Sequence, residues 1–124
     1  MVTGIGIDMV LVHRLKRWLD TPGLLERYFH PQELAISRLN GKSAHLSLAA
    51  RFAAKEAFGK ALGTGLAGIV LKDIMVISHN NGRPEMRLIN TALEALEKNG
   101  ANRVHLSLTH EKDYAAAMVV LEVL

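Results

Sequence analysis

The chain has no cysteine in its 124 residues. Disulfides, thiolate metal ligands and thiol nucleophiles are therefore excluded, and any chemistry must rest on oxygen, amine and imidazole groups. A metal bound here would be held by hard ligands. Aromatic residues supply only 5% of the sequence, and no single-strand-binding or helix-turn-helix signature accompanies them. Nucleic acid is thus not the expected partner, although the net charge is +3 and the pI near 9.5. Such a balance suits another anionic partner, an acidic protein or a phosphorylated small molecule. Long apolar runs are missing as well. The longest, Tyr114 to Leu121, falls far short of the roughly 20 residues that cross a bilayer. The first residues lack a basic segment followed by an apolar one. The expectation is a soluble cytoplasmic protein without membrane insertion. With 49% hydrophobic residues, 124 residues suffice for one domain, spanning 1–124, with a buried core.

Val2 to Val12 is apolar and β-branched with Asp8 as its only charge, and reads as a largely buried strand interrupted by one acid. Leu15, Trp18 and Leu19 then recur at helical spacing beside Arg14 and Arg17, until Thr21-Pro22-Gly23 stops the pattern. His30-Pro31 opens another helix, which runs through Leu39 and ends at Asn40-Gly41. The longest helix starts near Ser43 or Ser47 and reaches Leu62, with Gly63 as its left-handed C-terminal residue. At about 100° per residue, Leu46, Ala50, Ala53, Ala57 and Ala61 share one face, Glu56 and Lys60 one flank, and Arg51 and Lys55 the other. Asp73 to Ser78 and Glu85 to Ile89 read as strands joined by a hairpin turn at His79 to Pro84. Asn90 caps a helix closed by Gly100. Arg103 to Thr109 and Tyr114 to Val123 form a second hairpin. Helices and antiparallel strands mix without a βαβ rhythm, which predicts an α+β fold with helices packed on an antiparallel sheet.

The candidate site residues each admit a plain reading. Asp8 suits a strand acid satisfied by backbone N–H groups as well as it suits a ligand. Glu56 and Lys60, four residues apart with the acid first, form the favourable surface ion pair of a helix. If Glu56 turns toward Asp8 instead, the two carboxylates match Mg2+, which takes one or two protein carboxylates and completes its octahedron with water and phosphate. Gly63-Thr64-Gly65 is a helix stop that would also let a bulky phosphorylated ligand approach the backbone. An exposed Trp18 beside Arg14 and Arg17 has the character of a protein-docking surface.

Gly4-Ile-Gly-Ile-Asp8, the run from Arg51 through Lys55-Glu56 and Gly59-Lys60 to Gly63-Thr64-Gly65, the Asn81-Gly82-Arg83-Pro84 turn, and Leu108-Thr-His110-Glu-Lys-Asp-Tyr114 resemble the bacterial holo-(acyl-carrier-protein) synthases. These are the small 4'-phosphopantetheinyl transferases. The likeness spans nearly the whole chain, departing at Gly59, where serine is common. It implies transfer of the 4'-phosphopantetheine arm of coenzyme A to a serine of apo acyl carrier protein in fatty acid biosynthesis. By that likeness Asp8 and Glu56 hold Mg2+, Glu56 and Lys60 are catalytic, and Lys60 neutralises the pyrophosphate. Arg51, Gly63, Thr64, Gly65, Arg83, Pro84 and His110 line the coenzyme A site. Arg14 and Arg17 would meet acidic groups of the carrier, with Leu15 and Trp18 supplying apolar contact. The resemblance also implies a homotrimer with active sites between subunits.

Overall fold

The computed structural model describes residues 1–124. It runs as β1 (Val2–Leu11), α1 (Val12–Leu19), α2 (Leu25–Tyr28), α3 (Pro31–Arg38), α4 (Ala44–Leu62), β2 (Ile74–Ser78), β3 (Pro84–Leu88), α5 (Asn90–Asn99), β4 (Arg103–His110) and β5 (Tyr114–Glu122). The α+β expectation holds, with one refinement. The strands form two antiparallel sheets, β1-β5-β4 and β2-β3, where one was expected.

α4 is the axis of the molecule. Leu48, Ala49, Phe52, Ala53, Ala57 and Phe58 point in different directions around it, yet each is at most 5% exposed. A helix that is apolar on all sides has to be wrapped on all sides. β1 and β5 cover one side, while α1 and α3 cover others. Gly63 closes it in the left-handed region, at φ 80°, as the sequence predicts.

β1 lies directly on the backbone of α4. Gly4, Gly6, Asp8 and Val10 occupy the strand face turned toward the helix, by the period of two. A Cβ at Gly6 would overlap the carbonyl oxygen of Ala57, and one at Gly4 that of Ala61. The opposite face carries Ile5, Ile7 and Met9, which are 64%, 63% and 64% exposed. The expectation of a largely buried strand is therefore corrected: only one face is covered. Both faces are apolar, which hides the alternation in the sequence.

Another correction concerns α5. Asn90 does not cap it but is its first residue, at φ 45°, and Ile89 stands at the N-cap without a side-chain bond. The free N–H of Thr91 is satisfied from a distance, by Asp73 Oδ2 at 3.1 Å. The two ends of the chain are fastened side by side. The Met1 amine donates to the Val123 carbonyl at 2.8 Å, and the Val123 N–H donates back to the Met1 carbonyl at 2.9 Å.

Candidate functional site

Asp8 faces the flank of α4 that carries Glu56 and Lys60. Lys60 Nζ donates to Asp8 Oδ1 at 2.9 Å, so the lysine bonds the strand acid and not Glu56 four residues earlier. The plain reading of a Glu56–Lys60 surface pair is thus replaced. This bond and the Asp8 charge raise the Lys60 pKa and keep its ammonium protonated. Glu56 is half-buried beside them. Burial first, and the Asp8 charge second, push its carboxyl above the ordinary range, while Arg14 and Lys60 pull it down. Two carboxylates thus stand near one another between two cationic side chains, each cation offsetting part of their mutual repulsion.

Arg51 lies five residues before Glu56, about 140° around the helix. On that flank Ser47, Ala50 and Arg51 of α4, Ser78, Gly82 and Pro84 of the β2-β3 hairpin, and His110 at the end of β4 surround a cavity of about 460 Å³. Arg51 is 4% exposed and already engaged. It donates from Nε to the Val76 carbonyl at 3.1 Å, from Nη1 to Ser47 Oγ at 2.6 Å, and from Nη2 to Ser78 Oγ at 3.1 Å. Burial lowers its pKa, with Glu33 opposing. Arg83 borders a different groove, with His79, Arg87 and Arg103. Gly63, Thr64 and Gly65 follow Lys60 at the end of α4. There Thr64 lines a third cavity, of about 560 Å³, against α5. Within one chain the predicted residues therefore gather on two flanks of α4 and at its C-terminal end.

On α1 the structure corrects two expectations. Leu15 is fully buried in the core and offers nothing to a partner. Trp18 is half-buried, its ring 5.0 Å from that of Phe52 and 5.3 Å from that of Tyr28. Arg14 lies 5.3 Å from both the Trp18 and Phe52 rings, a cation–π arrangement that turns it toward Glu56. Arg14, Lys16 and Arg17 remain exposed and form no ion pair.

Beneath the site lies a buried pair that sequence reasoning missed. Lys55 and Glu33 are both 0% exposed. Lys55 Nζ donates to Glu33 Oε1 at 2.8 Å, to the Leu71 carbonyl at 2.9 Å, and to the Ile74 carbonyl. Glu33 Oε2 accepts from the Val76 N–H at 3.0 Å, and Oε1 from the His30 N–H at 2.9 Å. One ion pair thus ties α3, α4 and β2 together behind Glu56. The legible signal was a lysine set between Phe52-Ala53-Ala54 and Ala57-Phe58 in the helix.

Residues 4–119 match the 4'-phosphopantetheinyl transferase superfamily. The holo-[acyl-carrier-protein] synthase of Treponema denticola is 57% identical over 122 residues, covering 98% of this chain and 99% of that protein. The crystal structure of the Neisseria meningitidis holo-[acyl-carrier-protein] synthase superposes with a TM-score of 0.86 at 38% identity, covering 98% of this chain and 99% of that one. The Bacillus anthracis synthase, solved in complex with CoA (3',5'-ADP), does so with a TM-score of 0.83 at 35% identity, covering 100% and 99%. With its α4 flanked by the Asp8–Glu56–Lys60 cluster and matched over nearly its full length by these relatives, the chain belongs to the holo-[acyl-carrier-protein] synthases of the 4'-phosphopantetheinyl transferase superfamily.

Proposed function

We propose that this protein transfers the 4'-phosphopantetheine group of coenzyme A to a serine hydroxyl of apo acyl carrier protein, in the cytoplasm and in the service of fatty acid biosynthesis. The observation that carries the reading is the Lys60–Asp8 bond at 2.9 Å, which joins the strand acid to the helix flank bearing Glu56. Asp8 and Glu56 are both hard oxygen donors, and such a pair fits Mg2+, which fills the rest of its octahedron with water and phosphate oxygen. Asp8 and Glu56 would hold it, and when bound it supplies positive charge to the phosphoryl oxygens and the departing bisphosphate.

Coenzyme A enters with its nucleotide end in the cavity of Arg51, Pro84 and His110, while Arg83, which borders the neighbouring groove, would reach it only by swinging its side chain across the hairpin. Its pyrophosphate lies toward Lys60 and the Gly63-Thr64-Gly65 turn. The serine oxygen forms a bond to the phosphorus on the pantetheine side. The bond from that phosphorus to the bridging oxygen breaks, and adenosine 3',5'-bisphosphate leaves. Lys60 neutralises charge that grows as it leaves, and Glu56 accepts the serine proton. No covalent enzyme intermediate is required. The test is the intact mass of apo acyl carrier protein incubated with this protein, coenzyme A and Mg2+. A gain of one phosphopantetheine that disappears with chelator is expected, and no gain across several apo carriers would sink the reading.

The two flanks of α4 support a site shared between copies of the chain. A ligand that needs both the Arg51 cavity and the Asp8–Glu56 pair meets them about 140° apart in one copy. The uncovered sheet face, where Ile7 pairs with Met118 and Ile5 with Val120, gives neighbouring copies an apolar surface to bury. Light scattering is expected to give the mass of a homotrimer of the 13.6 kDa chain.

Carrier docking is assigned to Arg14 and Arg17, with the exposed edge of Trp18 and without Leu15. Acyl carrier protein is acidic, so charge reversal at Arg14 should weaken its capture. The Arg14→Glu variant is expected to raise the KM for carrier about tenfold at low salt and less at high salt, where charges are screened. An unchanged KM at both salt levels removes Arg14 from that role.

A further inference from the structure

Gly4 and Gly6 share the inward face of β1 with Asp8. The obstacles that a side chain would meet there, the carbonyl oxygens of Ala61 and Ala57, are main-chain atoms one helical turn apart. No rotamer change moves a main-chain atom aside. Neither glycine has a positive φ, so what these positions demand is space and not unusual torsion angles. On the helix side Ala53, Ala57 and Ala61 are each at most 4% exposed, so the contact is backbone against backbone.

This contact adjoins the carboxylates. Asp8 follows Gly6 by two residues, about 7 Å along the strand, and Glu56 immediately precedes Ala57. We propose that Gly6, supported by Gly4, is a positioning residue for the carboxylate pair: the approach it permits fixes the separation of Asp8 and Glu56, and with it the size of cation the pair accepts. The inference rests on the reading of Asp8 and Glu56 as cation ligands. A methyl group at position 6 lifts the strand from the helix, carries Asp8 outward and leaves Glu56 where it is. Mg2+ tolerates such a change poorly, because it demands near-ideal octahedral geometry at short distances. The Arg51 cavity is on the other flank of α4 and should not notice.

The test measures Mn2+ binding by electron paramagnetic resonance, and Mg2+ binding by competition, on the intact protein. The parent is compared with Gly6→Ala, Gly4→Ala and Leu96→Ala, the last an α5 core change remote from the carboxylates. Gly6→Ala is expected to bind Mg2+ at least about tenfold more weakly, with a smaller loss for Mn2+. Its affinity for adenosine 3',5'-bisphosphate in metal-free buffer should remain within about twofold of the parent. Gly4→Ala, one turn farther from the site, should show the same pattern more weakly, and it carries the test if circular dichroism shows Gly6→Ala unfolded. Leu96→Ala should lower the melting temperature and leave cation affinity alone. Parent-like Mg2+ binding in both glycine variants, or equal losses of cation and nucleotide binding in all three variants, overturns the proposal. A parent protein that binds neither cation overturns the carboxylate reading beneath it.

Discussion

The Glu56→Gln variant should lose a factor of about 10² to 10⁴ in turnover, with the KM for coenzyme A changed little. The substitution keeps the shape of the side chain and removes its charge. On the proposed mechanism the loss is doubled in kind, since one carboxylate would be both a cation ligand beside Asp8 and the acceptor of the serine proton. Glutamine brings no negative charge to a cation and cannot take up the proton. The cavity that would take the nucleotide end is built from the opposite flank of α4, by Arg51 with Ser78, Pro84 and His110, and remains intact. A turnover defect without a binding defect is therefore the expected signature, measured by mass-resolved time courses of carrier modification at several coenzyme A concentrations. Turnover within a few-fold of the parent would place the chemistry elsewhere.

Breaking the Glu33–Lys55 pair should produce the largest stability effect in the molecule. The Glu33→Gln variant leaves the Lys55 ammonium buried without a counter-charge, a change that costs about 3–5 kcal/mol in comparable buried pairs. Urea titration should show the midpoint falling. Replacing both partners, with Glu33→Gln and Lys55→Met together, should recover part of the loss because the uncompensated Lys55 charge is gone, while buried Arg51 still misses Glu33. The pH dependence has a definite sign. Burial lowers the Lys55 pKa from the ordinary 10.5, and Glu33 opposes that shift. In Glu33→Gln only the weaker opposition of Asp73 is left, so the Lys55 pKa falls further and the folded state releases a proton that the unfolded chain still holds. Between the lowered folded value and 10.5 the variant should gain stability as pH rises. A variant as stable as the parent at neutral pH would show that the pair contributes little.

Local features were legible in the sequence. Gly63 stops α4, the His79 to Pro84 turn joins β2 and β3, and Pro31 opens α3, because each depends on its immediate neighbours. What escaped the sequence depends on depth and direction. Lys55 and Arg51 were read as one charged flank of α4, and both are buried, their long aliphatic stems carrying polar ends to carbonyls of β2 and its approach. Leu15 and Trp18 were read as a docking pair, whereas helical spacing describes which face is apolar and not which neighbour covers it. For the site, the Asp8–Lys60 bond spans 52 residues of sequence and cannot be inferred from i, i+4 rules. Family resemblance supplied the residues, and the close packing of β1 on α4 explains how they meet.

The fastening of the two chain ends has a consequence for how the protein is made. In the order of synthesis β1 precedes every other element of this fold, and its only strand partner, β5, follows them all. Until β5 has been made, Ile5, Ile7 and Met9 belong to an unpaired apolar strand with nothing to lie against but α4. The three-stranded sheet thus forms only once β5 has emerged, closed by contacts of very high sequence separation. Nascent chains stalled before Tyr114 should hold this strand open to chaperones and to aggregation, however well the α4 region has already folded.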